Sequence, residues 1–131
     1  MRRALAAVVL SVTALTAIAG CGDDTSARDA SELTAASEVS SVLSEGAVVL
    51  DVRTPAEFTT GHVADALNID AASQDFEAKV GALDKGKTYV VYCRTGSRAG
   101  RAIEAMAELG FENLVNGGAF DDLAAAGVPT S

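Results

Sequence analysis

Tryptophan is absent, and only two tyrosines and four phenylalanines occur in 131 residues, so the interior cannot rest on large aromatic anchors. Valine, leucine, isoleucine and alanine must build the core. A single histidine and two cysteines cannot supply the usual four ligands of a zinc site, and no metal or other cofactor is expected. No Cys-X-X-Cys pair is present for dithiol exchange. A cysteine protease would have only His62 as its base. Positive charge is scarce as well: 10 basic against 18 acidic residues give a net charge of −8 with histidine neutral. Nucleic acid is therefore not an expected partner, because binding it depends on neutralising phosphates with lysine and arginine.

One long apolar run is present, over residues 4–18. It falls short of the roughly 20 apolar residues that a spanning helix needs. Behind Met1-Arg2-Arg3 and ahead of small residues, it reads as a secretion signal. Ile18-Ala19-Gly20-Cys21 resembles the bacterial lipobox. That resemblance implies cleavage before Cys21, a lipid on its sulfur, and an exported protein anchored by lipid alone to the cell membrane, facing the envelope or outside. An ordinary signal cut nearby would instead leave Cys21 as a free thiol. The expected organisation is a leader over residues 1–20, a small, polar tether over 21–32 and one folded domain over 33–131. The leader holds two basic and no acidic residues, so its loss takes the net charge to −10, which opposes adhesion to anionic lipid.

Along the remaining chain, Ala35, Val39, Val42 and Leu43 have helical spacing, and Gly46 is placed to end that helix. The continuous apolar run over residues 47–52 predicts a strand buried on both faces. Thr54-Pro55-Ala56-Glu57 carries the pattern of a capping box with proline at the first helical position. A short strand is expected over 67–70, then a helix capped by Ser73 and bearing Phe76, Val80 and Leu83. A strand over 88–92 precedes a helix with Ala99, Ala102, Ile103 and Met106 on one face, ended by Gly110 with Phe111 behind it. A strand over 112–116, a turn at Gly117-Gly118 and a helix over 121–126 complete the pattern. Alternating strands and helices imply an α/β fold, a small parallel sheet with helices on both faces.

Cys93-Arg94-Thr95-Gly96-Ser97-Arg98 joins the third strand to its helix. In such sheets ligands bind beyond the carboxyl ends of the strands, where this loop leaves. Unpaired N–H groups of the helix's first turn, its dipole and two arginines all favour thiolate over thiol at residue 93. The same groups would hold an oxyanion. A buried structural cysteine is the bland alternative. Thr95 and Ser97 could donate to a bound sulfur, or Ser97 could cap the helix. Gly96 permits close backbone approach.

The ordered set Asp51-Val52-Arg53, Glu57-Phe58, Gly61-His62-Val63, the Cys93 loop, Gly117-Gly118 and Gly127-Val128-Pro129 resembles the rhodanese domain over about residues 33–129. The resemblance implies a rhodanese-like fold and a thiosulfate sulfurtransferase activity that needs no cofactor. Cys93 would take sulfur from a small anionic donor such as thiosulfate and pass it to cyanide or a thiol. The backbone from Arg94 through Thr95, Gly96 and Ser97 to Arg98 would cradle the persulfide, with Asp51 supporting the loop from behind. Arg53, Glu57 and His62 are assigned to scaffold. Two other classes stay open: a noncatalytic module that binds a persulfide or anion, and a phosphatase-like hydrolase. The phosphatase pattern, however, needs five residues between cysteine and arginine, and Ala99 stands where that arginine would be. Two departures occur: Val63-Ala64-Asp65-Ala66 replaces the usual isoleucine, proline and glycine, and the last helix has Leu123 where tryptophan is customary.

Overall fold

A computed structural model of the protein describes residues 36–131, so the expected leader, tether and Cys21 lie outside the described residues. The strands are β1 (Val48–Asp51), β2 (Leu67–Asn68), β3 (Thr88–Cys93) and β4 (Asn113–Ala119). All neighbours pair in parallel, in the order β2-β1-β3-β4. Between them run helices α1 (Ala36–Ser44), α2 (Pro55–Thr59), α3 (Phe76–Gly81), α4 (Ser97–Glu108) and α5 (Phe120–Ala125). The central strands β1 and β3 are almost wholly buried, which is why their sequences lack polar alternation.

Side chains alternate across the sheet and build two cores. On one face Leu50, Val52, Val91 and Cys93 pack with Phe76 and Val80 of α3 and with Ala99, Ala102, Ile103 and Met106 of α4. On the other, Val49, Val90 and Tyr92 pack with Val39 of α1 and Leu123 of α5. The expected α/β architecture, with helices on both faces, is therefore present.

Local signals formed as their chemistry requires. Thr54 Oγ1 accepts from the Glu57 N–H, and Glu57 accepts in return from the Thr54 N–H, with Pro55 opening α2. Gly110, at φ +101°, reverses the chain after α4, and the Phe111 N–H donates to the Met106 carbonyl while its ring is buried. Asp65 takes φ +62°, which accounts for glycine being usual at that position.

Several expectations need correction. Ser73 does not cap α3; its hydroxyl bonds the Asp75 carboxylate, Asp75 is the N-cap residue without a side-chain cap bond, and Leu83 lies beyond the helix end. Gly117-Gly118 is not a turn but part of β4. Val91 pairs with Asn116 and Tyr92 with Gly118, so Gly117 is the extra residue of a bulge. A Cβ on Gly117 would lie 2.9 Å from Val90 Cγ1, while Gly118, at φ +77°, donates its N–H to Asn116 Oδ1 at 2.9 Å. Finally, β2 spans two residues rather than four, and β3 runs one residue further than expected, to Cys93 itself.

Candidate functional site

Cys93 is the last residue of a central strand: it pairs with Ala119 of β4, and its neighbour Tyr92 pairs with Asp51 of β1 on the other edge. The chain then turns through Arg94 and Thr95 to Gly96, whose φ of +97° is the left-handed conformation that glycine adopts without strain. That geometry aims the Gly96 N–H at Cys93 Sγ, 2.9 Å away, and makes Gly96 the N-cap of α4. The sulfur is fully buried, within the α3/α4 core. Arg94, Thr95 and Ser97 are exposed around it. Ser97 opens α4 as its first residue and caps nothing, since the cap lacks a side-chain bond.

Arg98 occupies the first turn of α4, but its guanidinium is already engaged. Nη1 and Nη2 donate to the two carboxylate oxygens of Glu57, each at 2.9 Å, in a bidentate pair. The hydrogen bond from Arg98 and then that from the Thr54 N–H pull the Glu57 carboxyl down to about 2. Reciprocally, Glu57 raises the Arg98 pKa, with smaller contributions from the nearby Cys93 and Asp70. One carboxylate thus ties the start of α2 to the start of α4. Sequence reading placed Arg98 in the loop and Glu57 in the scaffold; it could not find their pairing, because 41 residues separate them and no local pattern marks it.

Asp51 does not stand behind the sulfur. It pairs in register with Tyr92 and shares that residue's face, opposite to Cys93. Its carboxylate, 0 % exposed, accepts from Arg53 Nε and Nη2 and, at 2.6 Å, from the Tyr92 hydroxyl. Arg53 also donates to the Gly61 carbonyl and lies over the Phe120 ring, 4.6 Å from its centroid. Burial opposes the charge on Arg53, yet hydrogen bonding to Asp51 and its charge keep that pKa raised. Burial first, and the bond to Asp51 second, push the Tyr92 phenol up. Both Asp51 oxygens are thus taken by Arg53 and Tyr92.

His62 sits between α2 and the C-terminal segment. Its Nδ1 lies 3.0 Å from the Phe58 carbonyl, which only accepts, so that nitrogen carries the proton. The ring stacks on Phe58, and backbone bonds run both ways with Ser131. Among the described residues no group of three or more His, Cys, Asp or Glu side chains could hold a metal ion.

The pattern of the rhodanese-like domain matches residues 30–122 of the chain. Thiosulfate sulfurtransferase PspE of Escherichia coli (strain K12) is 33% identical over 75 residues, covering 57% of this chain and 72% of that protein. A sulfurtransferase of Allochromatium vinosum is 29% identical over 72 residues, covering 55% and 65%. Among solved structures, a rhodanese-related protein from Thermoplasma volcanium superposes with a TM-score of 0.67 at 27% identity, over 76% of this chain and 97% of that one. A structure described as rhodanese with anions from E. coli superposes with a TM-score of 0.56 at 29% identity, over 66% and 98%.

Proposed function

We propose that this chain, which belongs to the rhodanese-like domain family, is a sulfurtransferase that carries sulfur on Cys93 between a small anionic sulfane donor and a thiophilic acceptor. The observation that carries the reading is the Gly96 N–H directed at Cys93 Sγ at 2.9 Å from the N-cap of a twelve-residue helix. An amide and a helix terminus aimed at one sulfur stabilise negative charge there, whether it belongs to a thiolate or to a persulfide. The description of the similar E. coli protein as a rhodanese with anions agrees with a loop of that character.

With thiosulfate, the Cys93 thiolate attacks the sulfane sulfur. A new S–S bond forms, the sulfur–sulfur bond of thiosulfate breaks, and sulfite leaves with the bonding electron pair. Cyanide then attacks the outer sulfur of the persulfide, thiocyanate leaves, and the thiolate is regenerated. Charge and atoms balance without a general base, which suits a site where the sole histidine is bound to Phe58 and Ser131. A phosphatase-like reaction is disfavoured for two reasons: four residues separate Cys93 from Arg98, and Glu57 fills the fork that would clamp a phosphate.

Intact mass measurement tests the proposal. Thiosulfate should add one sulfur atom, cyanide should strip it as thiocyanate, and Cys93→Ser should show neither. A loaded Cys93→Ser protein, or a wild type that never gains the atom, would refute it. We also propose that residues 1–20 direct export and that Cys21 bears the lipid anchor.

A further inference from the structure

We propose that Arg101, rather than Arg98, is the cation that recruits the dianionic donor to the Cys93 loop; this rests on the sulfurtransferase reading above. Nη1 and Nη2 of Arg98 are spent on Glu57, so its charge is compensated before any ligand arrives. Arg101 follows one turn later on α4, is exposed, and makes no ion pair among the described residues.

Two cavities of about 380 Å³ each flank the start of α4. One is bounded by Thr95, Gly96 and Ser97 of the loop; the other lies between α3 and α4, beside Ser73, Phe76 and Arg98. Arg101 is the residue that both cavities share, and Arg94, the remaining loop cation, borders neither. Gly100, with no side chain, leaves the loop-side cavity open next to Arg101. Each cavity also holds one exposed carboxylate, Glu104 on the loop side and Glu77 on the other. In a protein of net charge −8 these would repel a dianion, so the uncompensated guanidinium between them decides whether the approach to the loop is attractive. Arg101 is thereby a binding residue for the donor, distinct from the sulfur's own cradle.

The test compares wild type, Arg101→Gln and Arg101→Lys in two measurements. Sulfate, an unreactive dianion, is titrated by calorimetry or NMR, and thiosulfate:cyanide turnover is followed separately. For one solvent-exposed charge, Arg101→Gln should weaken sulfate binding and raise the thiosulfate KM by roughly fivefold while kcat is kept, with the gap closing as salt rises. Arg101→Lys should restore most of the affinity. Equal sulfate affinity and equal KM in wild type and Arg101→Gln would overturn the assignment, as would a lysine variant no better than glutamine. Arg101-dependent sulfate binding in a protein with no turnover would refute the sulfurtransferase reading and leave the anion site standing.

Discussion

Glu57→Gln tests how the loop is held. In the wild type Glu57 accepts from the Thr54 N–H and from both terminal nitrogens of Arg98, and its carboxyl is lowered from 4.5 to about 2. A lowering of that size corresponds to at most about 3 kcal/mol of folded-state preference for the carboxylate. Both partners are 29 % exposed, so solvent screening reduces the effective figure to about 1–2 kcal/mol. Because the folded-state value lies below the unfolded one, this stability is fully present above about pH 4.5 and disappears as the pH falls toward 2. Thermal unfolding of wild type and Glu57→Gln, followed by circular dichroism from pH 7 to pH 2.5, reads the effect. At pH 7 the variant should melt roughly 5–15 °C lower, since a domain of this size loses about 4–8 °C per kcal/mol. As the pH falls from 4.5 toward 2 the two curves should draw together, because the unfolded chain takes up the proton first and folded Glu57 becomes neutral, like glutamine, only near 2. A Tm difference that stays constant across the range, or none at pH 7, would refute the assignment of a charged bidentate clamp.

Other perturbations have equally definite outcomes. Asp51→Ala leaves the Arg53 guanidinium, 4 % exposed, without its counter-charge, and should cost about 3–5 kcal/mol in urea unfolding; a loss below 1 kcal/mol would contradict the buried pair. Gly117→Ala should destabilise by about 1–3 kcal/mol because the new methyl meets Val90 Cγ1 at 2.9 Å. By contrast Gly81→Ala, with nothing within 4 Å at the end of α3, should be neutral or stabilise by up to about 1 kcal/mol in the same assay. Cys21→Ser should move the protein from the membrane fraction to the soluble one and remove any lipid mass; unchanged fractionation would dispose of the lipid anchor.

Features whose cause is local were legible in the sequence. The capping box at Thr54 and Glu57 involves groups three residues apart, and the stop at Gly110 with Phe111 follows from backbone sterics within one turn. The Cys93 loop belongs to the same class, because a strand ending in cysteine and a glycine opening a helix need nothing distant to bring amide to sulfur. The largely apolar run over residues 47–52 likewise indicated a strand covered on both faces, and β1 is buried accordingly.

Tertiary structure decided whatever depends on which groups meet. Gly117-Gly118 has the composition of a turn, yet it forms a bulge inside β4, where a Cβ on Gly117 would press on Val90 and Tyr92. Strand register put Asp51 beside Tyr92 on the face away from Cys93, although alternation alone could not say which strand would lie next to which. Glu57 and Arg98 are brought together by the parallel pairing of β1 and β3, which sets the starts of the helices that follow them near one another. Arg101 shares a helical face with Ser97 and Glu104 in the sequence itself; that this face borders two cavities was settled only by how α3 and the loop pack around it. Interactions within a turn are encoded by neighbours in the chain, whereas the partner of a charge is chosen by the fold.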